Sequence, residues 1–156
     1  MEKKKTLRNS AKAVIIRQDK ILLLRKADKD GSYTVLPGGG QNFDETLDQT
    51  LKREVLEEAG AEVEVGKLLH IREYFSEKHG FAFVDRALHQ IEFFFRCELK
   101  TEPDPGRATE LDSNQKEVVW ATLSELDAVN FYPVAMREAL SQLESGKFPL
   151  YLGDCN

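Results

Sequence analysis

Residues 39–61 read GGQNFDETLDQTLKREVLEEAGA, a glycine-rich start running into a helix-shaped stretch. Leu47, Leu51, Val55 and Ala59 recur at four-residue steps, the buried stripe of an amphipathic helix. At about 100° per residue, Glu57 falls about 60° to one side of Glu54 and Glu58 about 40° to the other. Three carboxylates on one narrow stripe repel each other, by roughly 0.2–0.5 kcal/mol per pair on an isolated helix. A divalent cation would turn that repulsion into ligation. Gly60 is a natural stop for this helix. Asp44 is the expected cap at its start, with Glu45 in the first turn.

The elements around this stretch alternate in type. Residues 12–17 and 20–25 read as two strands joined at Gln18-Asp19, and 32–36 as a third. Pro37-Gly38-Gly39-Gly40 is expected to break regular structure. Beyond the helix, 62–67 and 68–75 read as extended. Residues 88–98 alternate, with His89, Ile91, Phe93, Phe95 and Cys97 on one face and Gln90, Glu92, Phe94, Arg96 and Glu98 on the other. Residues 101–115 form a polar loop long enough to be functional. Residues 117–122 read as a strand, 123–127 as a helical turn and 134–144 as a last amphipathic helix. The order predicts an α/β fold, a mixed sheet flanked by helices.

The spacing in 39–61 is specific. Gly39 is followed by five residues and Glu45, then by seven residues and Arg53-Glu54, then by Val55, Leu56, Glu57-Glu58, Ala59 and Gly60. This resembles the signature box of the Nudix (MutT-type) hydrolases position by position. Ala61, where that family prefers a larger aliphatic residue, is the one soft departure. The resemblance implies an α/β/α sandwich and metal-dependent cleavage of a pyrophosphate bond. The substrate would be a nucleoside diphosphate linked to another moiety: a nucleoside triphosphate, a nucleotide sugar or an ADP-ribose-like compound. It also admits a non-catalytic nucleotide-sensing module, which would not need all of Glu54, Glu57 and Glu58.

Mg²⁺ or Mn²⁺ is the implied cofactor. Mg²⁺ takes oxygen ligands, keeps several waters and is held by few carboxylates plus substrate phosphates. Glu54, Glu57 and Glu58 supply such oxygens, and the resemblance adds the Gly38 carbonyl. Gly38, Gly39 and Gly40 are the expected phosphate-binding turn. By the same resemblance Arg53 orients the glutamates, and Glu45, acting at the helix start or with Arg53, supports the site or makes a peripheral metal contact. The general base is open among Glu58, Glu117, Glu110 and Asp112. His70, His79 and His89 share no ligand spacing and read as structural or surface residues. Tyr74, Phe75, Phe81 and Phe83 can stack on a base, although aromatics at strand spacing are more often core. The proline or tyrosine that marks some Nudix subfamilies downstream of the box is absent around Ser76–His79.

Bulk properties agree with this reading. A chain of 156 residues with 41% hydrophobic and 31% charged residues suits one globular domain spanning 1–156. No apolar run approaches a membrane span, and no signal peptide follows the basic start. Residues 1–10 read as a solvated, flexible tail. The net charge of −5 argues against non-specific nucleic-acid binding, yet not against a phosphate-bearing small molecule once metal reverses the local field. Cys97 and Cys155 form no metal spacing or disulfide framework, which suits the cytoplasm. Members of the family often pair, so a homodimer is an expected assembly.

Overall fold

The computed structural model describes residues 2–79, 86–109 and 115–156. Its strands are β1 (Lys4–Val14), β2 (Ile16–Arg17), β3 (Lys20–Asp28), β4 (Gly31–Val35), β5 (Gly38–Gly40), β6 (Val63–Phe75), β7 (Arg86–Leu99), β8 (Gln115–Thr122) and β9 (Tyr151–Asp154). Its helices are α1 (Leu47–Ala59) and the short α2 (Met136–Ser141).

Two sheets result. The larger runs β5-β1-β7-β6-β9; in the smaller, β3 joins β2, β4 and β8. The large sheet is mixed: β1 lies parallel to β7 and β9 parallel to β6, whereas β5–β1 and β6–β7 are antiparallel. Neighbouring residues at the end of β1, just beyond it and along β3 serve different cores. Ala13, Ile15 and Leu22 join Leu51, Val55 and Ala59 of α1, while Val14, Ile21 and Leu23 join Met136, Ala139 and Leu140 of α2. Alternation of side chains along a strand thus puts the helices on opposite faces. The α/β class with a mixed sheet agrees with the sequence reading.

Several boundaries differ from expectation. Residues Lys4 to Ser10, expected as a tail, extend β1 and pair with β7 from Lys4↔Arg86 onward. Their side chains are mostly exposed up to Ser10, so polarity hid a strand whose backbone is paired. The glycine run is itself a strand, with Gly38 opposite Lys12, Gly39 opposite Ala11 and Gly40 opposite Ser10. Gly38 has φ 141°, and an added Cβ would lie 2.1 Å from the Ala11 carbonyl oxygen, so only glycine lets β5 approach β1.

The two expected strands over 62–75 are one, β6, whose register shifts at Val65/Leu68 and Leu68/His70 absorb the break in alternation. The last helix is shorter than expected, a 3₁₀ turn (Leu143–Ser145) replacing its final residues. β9 had no counterpart in the sequence reading.

Helix α1 begins later than expected. Thr46, not Asp44, is its cap: the Thr46 hydroxyl accepts from the Gln49 N–H at 3.2 Å, and the Gln49 side chain accepts from the Thr46 N–H at 2.8 Å. Asp44 sits before it at φ 65°. Gly60 ends the helix at φ 62°, where an added Cβ would lie 1.8 Å from the Asp104 carbonyl oxygen.

Candidate active site

Helix α1 lays its acidic face against β5. Leu51 and Val55, both fully buried, set the rotation of the helix, and the remaining stripe then faces the glycines. Glu58 is buried and accepts the Gly38 N–H at 2.9 Å. A Cβ on Gly39 would lie 2.5 Å from the Glu54 carboxylate, so the missing side chain is what lets that carboxylate reach the strand. Arg53 Nη2 donates to the Gly40 carbonyl at 3.0 Å.

Arg53 is the hub. Its Nε and Nη2 meet the two oxygens of Glu45 at 2.5 and 3.1 Å, a fork that only a guanidinium can make. Its Nη1 donates to Glu54 at 2.9 Å and to Glu57 at 3.2 Å. One cation therefore touches three of the four box glutamates, and Glu58 stands apart on Gly38. Glu45 lies ahead of the helix and is also held by the Asn42 N–H and the Thr50 hydroxyl.

These contacts set the charges. Arg53, then the Asn42 N–H, holds the Glu45 carboxyl down at about 2. Hydrogen bonding to Glu45 raises Arg53 above its ordinary value. Burial pushes Glu58 up to about 7, against the pull of the Gly38 N–H and of Lys12.

Among the described residues, no three His, Cys, Asp or Glu side chains already converge as a metal cage. The donor set still fits a hard divalent cation. Carboxylate oxygens of Glu54 and Glu58 stand beside the backbone of a glycine strand with no side chain between them, Glu57 joins Glu54 on one guanidinium, and hard oxygens are what Mg²⁺ takes.

Among the described residues, no hydrogen bond or ion pair brings Glu117 to this cluster. It sits opposite Arg25 in the β3–β8 pair and is ion-paired to it. Glu110, Asp112, Phe81 and Phe83 lie outside the described residues. His70 bonds the Pro149 carbonyl, His79 meets Asp154 and His89 meets Glu73, all away from the box.

A cleft lies over the large sheet on the face opposite α1, the face that Lys12, Glu92 and Phe94 share. Its inner chamber, about 120 Å³, is lined by Lys12, Glu92, Phe94 and Arg72 among others. Its outer chamber, about 510 Å³, lies under the β3–β4 turn and is lined by Tyr33, Tyr74, Gln90 and Asn130 among others. Arg72, Tyr132 and Asn156 belong to both. Arg72 Nε donates to Glu92 at 2.5 Å and Gln90 Nε2 to the other Glu92 oxygen at 2.7 Å. Arg72 also holds the Cys155 carbonyl. Burial pushes the Glu92 carboxyl up, but Arg72 and Lys12 outweigh it and the net shift is downward.

Sequence reasoning missed Arg72, Glu92, Gln90 and Asn156. Gln90, Glu92 and Phe94 were recognised as one face of β7, but alternation does not tell which face is covered. Here the more polar face is the buried one.

Fold and site together define an α/β protein whose acidic helix faces a glycine strand at the edge of a mixed sheet. A NUDIX domain model matches residues 6–143. A MutT-like protein from Streptomyces ambofaciens is 30% identical over 135 residues, which span 84% of this chain and 75% of that protein. A NUDIX hydrolase from Nitrosomonas europaea superposes with a TM-score of 0.73 at 23% identity, covering 93% of this chain and 94% of its own. An ADP-ribose pyrophosphatase from Streptococcus suis does so with a TM-score of 0.62 at 24% identity, covering 97% and 100%. The chain belongs to the Nudix hydrolase family. No helix among the described residues is long and apolar enough to cross a membrane.

Proposed function

We propose that this protein hydrolyses a pyrophosphate bond in a nucleoside diphosphate linked to another moiety, using Mg²⁺ or Mn²⁺. The carrying observation is the apposition of α1 and β5: Glu58 on the Gly38 N–H and the Glu54 carboxylate in the space Gly39 leaves open. Glu54, Glu57, Glu58 and the Gly38 carbonyl would hold the cation. When bound, it would neutralise phosphoryl charge and lower the pKa of a bound water.

The chain's own residues do the rest. Arg53 fixes the Glu54 and Glu57 rotamers, and Glu45 fixes Arg53. The backbone of Gly38–Gly40 faces the phosphates, and the cleft takes the organic end of the substrate. We assign the water-activating carboxylate to the box rather than to Glu117, because Arg25 holds Glu117. A small cytoplasmic nucleotide is the expected partner, and a single domain, alone or as a homodimer, suffices for this chemistry. The Streptococcus suis neighbour, an ADP-ribose pyrophosphatase, is an example of the reaction class.

Glu57→Gln tests the assignment. Metal-dependent hydrolysis in a screen of nucleoside triphosphates, nucleotide sugars and ADP-ribose should fall on the order of 10²–10³-fold. Its circular dichroism should match wild type, and Mg²⁺ should raise the wild-type Tm more than the variant's. Unchanged hydrolysis in Glu57→Gln would remove Glu57 from the metal site.

A further inference from the structure

The cleft floor is a row of buried polar groups that no step of the proposed hydrolysis uses. Across the sheet, Gly40 on β5 stands opposite Ser10 on β1, Ser10 opposite Glu92 on β7, and Glu92 opposite Arg72 on β6. Neighbouring strands lie about 4.8 Å apart. Glu92 is thus about 10 Å from the glycine strand and Arg72 about 14 Å. The far edge of a nucleobase reaches about that distance from its α-phosphate when the phosphate lies on the glycines. The outer chamber at that distance is bordered by Tyr33 and Tyr132, whose rings meet edge to face, and by Tyr74, which stacks on His79 and lies under the Arg72 guanidinium.

We propose that the Glu92–Arg72 pair is the base-reading element of this cleft and that it selects a nucleobase bearing an exocyclic amino group. The inference rests on the reading of the glycine strand as the diphosphate site. An ionised carboxylate only accepts, and offers about four acceptor positions. Arg72 and Gln90 take one on each oxygen, which leaves acceptor positions on both, and Glu92 lines the inner chamber, where Arg72 links it to the outer one. An amino group placed there donates to Glu92. A carbonyl in its place sets acceptor against acceptor in a buried site, which is disfavoured. Arg72 supplies the adjacent donor for the ring nitrogen or carbonyl beside that amine. Asn156, at the border of the two chambers, completes the wall.

A bland role exists: the pair ties β6, β7 and the segment at Cys155 together. The two roles separate in matched nucleotides that differ by the amine, guanosine against inosine and cytidine against uridine monophosphate. Their binding is followed by NMR titration in EDTA, with kcat/KM of the triphosphates in Mg²⁺ alongside. Wild type should prefer the amino-bearing member of at least one pair by about tenfold or more. Glu92→Gln alone leaves Arg72 buried without a charged partner and can unfold the protein. The double variant Arg72→Gln/Glu92→Gln keeps an amide hydrogen bond across β6–β7 and serves as the folded reference. In it the amine preference should fall to near one.

A preference absent in wild type, or unchanged in the double variant, overturns the proposal. Amine-dependent binding without any hydrolysis would instead leave the base-reading element standing and remove the proposed reaction.

Discussion

Glu58→Gln in metal-free buffer isolates the cost of burying a carboxylate beside the glycine strand. Glu58 is only 7% exposed, and its pKa rises from an ordinary 4.5 to about 7. The folded state therefore holds the proton more tightly than the unfolded chain does. Below the unfolded value both states are protonated, and the contribution to stability is present in full. Between the two values the unfolded chain ionises first, and stability is lost at about 1.4 kcal/mol per pH unit. Above the folded value the loss is complete, about 3 kcal/mol in all.

The Gln amide oxygen keeps the Gly38 N–H bond and removes the titration. Urea unfolding of both proteins in EDTA, from about pH 4.5 to about pH 8.5, gives the difference curve. Titrations elsewhere cancel in it. The variant should gain on wild type by about 3 kcal/mol across that range, with most of the change between pH 4.5 and 7. Parallel curves would refute the burial argument, since they would mean that Glu58 ionises as freely folded as unfolded.

Other substitutions probe neighbouring claims. Gly39→Ala places a methyl 2.5 Å from the Glu54 carboxylate, so hydrolysis should fall about tenfold or more while the melting temperature hardly moves. Equal activity in a steady-state assay would contradict the close approach. Thr46→Ala removes the hydroxyl half of the capping box and should cost about 1 kcal/mol in urea unfolding, against almost nothing for Asp44→Gly, which suits the φ of 65° at that position. Ser10 Oγ is buried with no hydrogen-bond partner among the described residues, so Ser10→Ala should stabilise the fold by about 1 kcal/mol, and a loss of stability would mean the hydroxyl is satisfied.

The chemical half of the site was legible because its rules are local. The Leu47, Leu51, Val55 and Ala59 stripe, the glutamates between its turns and the stop at Gly60 all follow from helix geometry. Even the true cap was written in the chain as Thr46 followed three residues later by Gln49. Asp44 is also a residue type that caps helices, but only Thr46 has a Gln three residues on to complete the reciprocal pair of bonds.

What could not be read depends on partners distant in sequence. Lys4 to Ser10 is polar, and only β7 makes it a strand. The glycines of β5 are paired because β1 runs beside them. Arg72 and Glu92 are ordinary charged strand residues until the β3–β4 turn and the loop at Tyr132 cover them. Coverage is a property of the whole fold.

That contrast carries a consequence for how the site assembles. The Gly38–Glu58 contact closes a loop of 20 residues and the Arg53–Glu45 fork one of 8, whereas the hold of Arg72 on the Cys155 carbonyl closes 83. Closing 83 residues rather than 20 costs about 1.3 kcal/mol more in chain entropy. Such long-range pairings slow folding. The reactive corner can therefore form early, from one contiguous stretch, while the cleft wall waits until nearly the whole chain is in place. A change that loosens the segment at Cys155 should blur selectivity and leave bond cleavage intact.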